Sequence, residues 1–131
     1  VISMQRVAGL LTISALLLSG CNSSSNDMNH DMMSPLNVNL TVTPDVPTVN
    51  NKIRFEANVM QDGKAVDQAK EVAFEIWKDG SDQHSKTPVK SAGAGIYVLE
   101  KTFNEPGTYH VISHVTANSM HAMPSADFQV K

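Results

Sequence analysis

The residues best suited to chemistry sit close together near the end of the sequence. His114, Met120, His121 and Met123 bring two imidazoles and two thioethers into the ten residues HVTANSMHAM. Thioether sulfur is a soft donor and imidazole a borderline one, and first-row transition metals accept both. No Asp or Glu falls between His110 and Pro124, so this donor set favours copper over a hard cation, and Cu(I) over Cu(II). Zinc more usually recruits Cys, His or carboxylate than two thioethers. At this level the competing reading is a loop that merely contains Met and His, because short motifs recur by chance.

The rest of the chain narrows what such a cluster could serve. A length of 131 residues suits one domain. A formal net charge of −3 gives no electrostatic case for nucleic-acid binding. Cys21 is the only cysteine, which rules out an internal disulfide and a CxxC motif. It also rules out a blue-copper centre, whose thiolate must lie within the domain. The sequence has no nucleophile elbow, no convincing carboxylate pair and no three-His catalytic zinc pattern, so it does not read as an enzyme.

Residues 1–21 read as a targeting segment. Arg6 supplies the positive start, and Val7 to Leu18 is an apolar run too short for a comfortable membrane span of about 20 residues. It ends Leu18-Ser19-Gly20-Cys21, which resembles the bacterial lipobox. That resemblance implies diacylglyceryl attachment at Cys21, cleavage before it, and a protein lipid-anchored on the outer face of the cell membrane; an ordinary secreted protein is the alternative. Residues 22–35 form a polar tether, rich in Ser and Asn, with too little apolar surface to fold. Met28, His30, Met32 and Met33 within it make either a weaker copper-capturing arm or a plain linker that tolerates any residue.

From residue 36 to residue 131 the pattern is that of strands. Val38, Leu40 and Val42 alternate with polar residues, as do Ile53, Phe55, Ala57 and Val59. Val72, Phe74 and Ile76 form a third run, and Asp62-Gly63 and Asp79-Gly80 supply the positive φ that tight turns need. Further strands are expected near 86–90, over 96–103, over 107–116 and over 126–130, with 117–124 as a loop. Six or seven short strands at this spacing predict an all-β fold, an antiparallel, Greek-key, immunoglobulin-like sandwich. Pro106-Gly107-Thr108-Tyr109 resembles the tyrosine corner of such folds. With Tyr109 and Val111 inward, alternation turns His110 and His114 outward, roughly 13 Å apart. They cannot share one ion. The aromatic residues Phe55, Phe74, Tyr97, Phe103, Tyr109 and Phe128 read as core. Trp77, on the opposite face from Phe74 and Ile76, either covers an apolar patch or shields a bound cation with its ring. His84 reads as a solvated loop residue.

Taken together, Phe74–Lys78 (FEIWK), Gly95–Tyr97 (GIY), Lys101–Phe103 (KTF), Pro106–Tyr109 (PGTY) and His114–Pro124 (HVTANSMHAMP) make residues 36–131 similar to the YtkA-like domain family. These are extracytoplasmic β-sandwich modules found on lipoproteins of Gram-positive bacteria. The resemblance implies copper binding and a Cu(I) metallochaperone that supplies copper for assembly of a terminal respiratory oxidase, directly or through an assembly factor. It also implies His114, Met120, His121 and Met123 as the ligand positions. The competing class is a non-metal scaffold module of a surface lipoprotein, for which thioethers at this position would have no use.

The lipobox reading is open to a direct check. Cys21→Ala is expected to move the protein out of the membrane fraction, or to leave the leader uncleaved. A Cys21→Ala protein that remains membrane-bound at the mature mass would refute it.

Overall fold

The computed structural model describes residues 33–131. The leader, Cys21, and Met28, His30 and Met32 of the tether lie outside the described residues. Among the described residues there are nine strands: β1 (Leu36–Thr43), β2 (Lys52–Gln61), β3 (Lys64–Ala65), β4 (Glu71–Lys78), β5 (Ser85–Pro88), β6 (Ile96–Thr102), β7 (Gly107–Ala117), β8 (Met120–Ala122) and β9 (Ser125–Val130). The excess over the expected seven comes from the very short β3 and β8.

Two antiparallel sheets face one another. In the first, β2 is central, with β1 along one edge and β6 and β3 along the other. In the second, β4 joins β5 to β7, and the far edge of β7 takes both β8 and β9. Each sheet buries one face because its strands alternate. Ile53, Phe55, Ala57 and Val59 of β2 are fully buried, and Val72, Phe74, Ile76, Val111 and Val115 meet them from the second sheet. Phe55 stacks edge-on to Phe128 at 5.2 Å and to Phe103 at 6.3 Å, so one ring ties both sheets together. Burying a side chain of this size is worth roughly 1.5–3 kcal/mol. All six aromatic residues read as core lie in it. The hydroxyl of Tyr109 donates to the carbonyl of Glu105 at 2.8 Å, closing the tyrosine corner that the sequence resembles.

Residues 117–124 are not a loop. Ala117 pairs with Met120, leaving a two-residue turn of Asn118 and Ser119, both at positive φ (49° and 63°). This is the turn geometry whose twist matches a hairpin, usually encoded by Asn-Gly. Asn118 suits it because Asn tolerates the left-handed region, and its Nδ2 donates to Gln61 Oε1 at 2.6 Å. Ser119 gives no such cue, which is why the hairpin is hard to see in the sequence. β8 and β9 are in effect one return strand. Val115 faces Ala122 and Ile112 faces Ser125, with two residues between them on each side. Ser113 therefore faces Pro124, and His114 faces Met123. The interruption falls at Pro124, which has no N–H to give to the ladder.

The strain at Ser119 yields a prediction. A Cβ in the left-handed region is penalised, so Ser119→Gly should raise stability by roughly 1 kcal/mol in urea unfolding. Asn118→Gly also removes the bond to Gln61 and should gain less. A loss of stability in Ser119→Gly would contradict the turn geometry.

Candidate metal centre

The outer face of the second sheet gathers every histidine among the described residues. Along β7, His110, His114 and Thr116 point outward between the buried Val111, Ser113, Val115 and Ala117. Ser113 N–H donates to Pro124 O at 2.9 Å, which makes that a hydrogen-bonded pair. The pairs on either side are then of the closer, non-hydrogen-bonded kind. These are His114–Met123 and Ile112–Ser125, and, further along on the same outward face, Thr116–His121 and His110–Asp127.

His114, His121 and Met123 thus share one face. The rings of His114 and His121 stand 6.2 Å apart, centre to centre, inclined at 41°. Their exposure is graded. The His114 side chain is only 13% exposed, whereas His121 is exposed and Met123 is 49% exposed. Met120 is turned the other way. It neighbours His121 in sequence, so alternation sends its side chain toward the first sheet, where its Sδ lies 3.5 Å from Gln61 Nε2. The same amide donates to the carbonyl of Ser34 at 2.6 Å, next to the exposed Met33. Of the four residues the sequence singles out, the fold brings three together and sets Met120 apart.

Each imidazole near the centre has a second partner. His114 Nε2 lies 2.8 Å from Glu75 Oε1, and His121 Nδ1 lies 2.8 Å from the hydroxyl of Thr116. Glu75 reaches His84 Nδ1 with its other oxygen, at 2.5 Å. Hydrogen bonds from His84 and then His114 hold the Glu75 carboxyl below the ordinary carboxylate range. The sequence reading found no carboxylate here because Glu75 comes from a different strand. His84 is likewise no plain solvated residue: its ring lies flat on Trp77, 4.2 Å away and within 4° of parallel. Trp77 also leans on His110 at 5.2 Å, so its ring packs against imidazoles. It is level with His110, four residues along β4 from the level of His114, roughly 13 Å away, and too far to cap an ion there.

His110 forms a separate cluster. Asp127 Oδ1 lies 2.6 Å from its Nδ1 and Asp79 Oδ1 lies 2.8 Å from its Nε2. Both ring nitrogens are taken. Among the described residues no group of three His, Cys, Asp or Glu side chains is disposed to hold a metal ion.

The model of the family described as YtkA-like matches residues 31–114, more than half of the chain. The chain belongs to the YtkA-like family. The matched segment ends at His114, so Met120, His121 and Met123 lie beyond it. No curated protein matches the chain significantly. Among solved structures, it is similar to the alkylpurine DNA glycosylase AlkC of Pseudomonas fluorescens, with 22% identity and a TM-score of 0.53, covering 75% of this chain and 31% of that one. An engineered protein gives 12% identity and a TM-score of 0.55, covering 72% of this chain and 20% of that one. The PKD domain of an M14-like peptidase from Thermoplasmatales archaeon SCGC AB-540-F20 gives 11% identity and a TM-score of 0.46 over 73% and 92% of the two chains. The YtkA-like chain spans about a third and a fifth of the first two structures. At the identities of these two the likeness is one of fold.

The His110 cluster leads to a pH prediction. Hydrogen bonds to Asp79 and then Asp127 raise the His110 pKa above its ordinary 6.5. The native state therefore holds this proton more tightly than the unfolded chain does. The stability so gained is complete below the ordinary value and is lost as pH rises through the elevated one. The urea midpoint should fall as pH rises above the ordinary value of 6.5, and should fall less in the Asp79→Asn, Asp127→Asn double variant. An equal fall in both proteins would place the responsible titration elsewhere.

Proposed function

We propose that this YtkA-like protein is a copper carrier: it takes Cu(I) between His114, His121 and Met123 and releases it to an acceptor outside the cell membrane. The observation that carries this reading is the shared outward face of two imidazoles and a thioether. With a metal–nitrogen bond near 2.0 Å, each imidazole centre lies roughly 3 Å from a bound ion. Two rings 6.2 Å apart therefore suit one ion reached by a nitrogen of each. A thioether beside them is the donor that distinguishes a site for a soft monovalent ion from a zinc site. Met120 belongs to the other side of the hairpin and is not a donor in this reading.

Release follows from the gradient of exposure. Met123 and His121 are exposed and His114 is largely covered, so an acceptor's ligand can displace the outer donors first and the covered imidazole last. No Cys thiolate is present in the domain to hold the ion more firmly. A lipid anchor at Cys21 would confine the carrier near integral-membrane acceptors and raise the effective concentration without any added contact. The acceptor we infer from family membership is a copper centre of a terminal oxidase or a factor that assembles it. Met28, His30, Met32 and Met33 would serve as a weaker capturing arm on the tether. The role is binding and release, with no catalysis.

The test separates the two sides of the hairpin. His121→Ala and Met123→Ala should each weaken Cu(I) binding by roughly tenfold or more, whereas Met120→Ala should change it far less, all with unchanged β-sheet circular dichroism. Wild-type Cu(I) affinity in the His121→Ala, Met123→Ala double variant would sink the site. Normal copper loading of the oxidase in a deletion strain at limiting copper would sink the delivery role.

A further inference from the structure

Glu75 is 39 residues from His114 in sequence and 2.8 Å from it in space. Its two oxygens are both occupied, one by His114 Nε2 and the other by His84 Nδ1. His84 is itself fixed flat against Trp77. The Glu75 and His114 side chains are only 22% and 13% exposed. An exposed ion pair leaves its members free to rearrange and contributes little. Here the carboxylate is bracketed on one side by a stacked ring and on the other by the histidine it touches.

The direction of this contact bears on the candidate centre. Glu75 is on β4, along one edge of β7, whereas His121 and Met123 are along the other. An ionised carboxylate can only accept, so the hydrogen in the contact belongs to His114 Nε2. In a neutral imidazole that leaves the lone pair on Nδ1. The two ring nitrogens point in diverging directions. With Nε2 held by Glu75 on β4, the lone pair on Nδ1 is directed away from that contact and is the one left for a ligand. Thr116 engages His121 Nδ1 in a comparable way, but a hydroxyl can donate or accept and so does not by itself select a tautomer.

We propose that Glu75 is a positioning residue: it fixes His114 as its Nε2–H tautomer and thereby presents Nδ1 to the ion shared with His121 and Met123. This inference rests on the copper reading and adds which nitrogen of His114 is used and what selects it. Holding the far N–H of a ligating histidine on a carboxylate fixes the ring and raises the basicity of the ligating nitrogen. Trp77 and His84 then act at one remove, by keeping the carboxylate in place.

Long-range proton–nitrogen correlation spectra of the ¹⁵N-labelled, metal-free protein report the tautomer directly. We expect His114 to be protonated at Nε2 in the wild type and in Glu75→Gln, whose amide oxygen accepts the same bond. Glu75→Ala should show a mixture of tautomers and bind Cu(I) roughly 10–100-fold more weakly, with most of the loss restored in Glu75→Gln. Ag(I), a diamagnetic soft monovalent ion, should shift His114 Nδ1 and leave Nε2 protonated. An Nδ1–H tautomer in the metal-free wild type, ligation through Nε2, or unchanged affinity in Glu75→Ala would each overturn the inference. If Ag(I) moves His121 and the Met123 methyl but not His114 Nδ1, the inference fails and the copper reading stands. If Ag(I) moves none of the three, the copper reading falls and this inference falls with it.

Discussion

Strand β7 is hydrogen-bonded along both edges, to β4 on one side and to β8 and β9 on the other, and every side-chain meeting on the outer face depends on that double register. Slipping by one residue would turn each side chain of a strand to the opposite face. Such a slip would drive His110, Ile112, His114 and Thr116 into the core and expose Val111 and Val115, which have no exposed surface at all. Burial of two valines thus fixes the orientation of two histidines. The hydrophobic core does more than hold the sheets together; it sets the geometry of the polar face behind it.

That polar face divides into two clusters with Trp77 between them. Around His110, two carboxylates occupy both ring nitrogens and join the β4–β5 turn, β7 and β9. This arrangement spends the imidazole on cohesion and leaves it no free donor. Around His114, one ring nitrogen and one nitrogen of His121 carry no hydrogen bond among the described residues, and the register places Met123 opposite His114. Histidines of the same strand, facing the same way, thereby stand in different surroundings. The difference lies in what the neighbouring strands place opposite them: Asp127 in one case and Met123 in the other.

The limits of the family match fall within this arrangement. The matched residues include β4 with Glu75, the His84 stack and β7 as far as His114. The hairpin that adds His121 and Met123 follows immediately after. The pairing of β7 with β8 is therefore the contact that brings His121 onto the face of His114, and it depends on a two-residue turn with both residues at positive φ.

The sequence by itself determined the strands, their faces and where the soft and borderline donor side chains lie. Period-two alternation identified the core residues of β2, β4 and β7, Asp-Gly pairs marked turns, and His114, Met120, His121 and Met123 stood out by donor type. These signals are local, because a strand's two faces and a residue's softness are both legible within a few positions. Only the tertiary structure decided which donors meet. Met120 and His121 are adjacent in sequence and point to opposite sides, because residues 117–124 form a hairpin, not a loop. Glu75 reaches His114 from another strand, and His84 rests on Trp77 across a turn. Neither contact leaves a mark on sequence spacing, since register between strands is set by burial of the whole sheet and not by residues near the site.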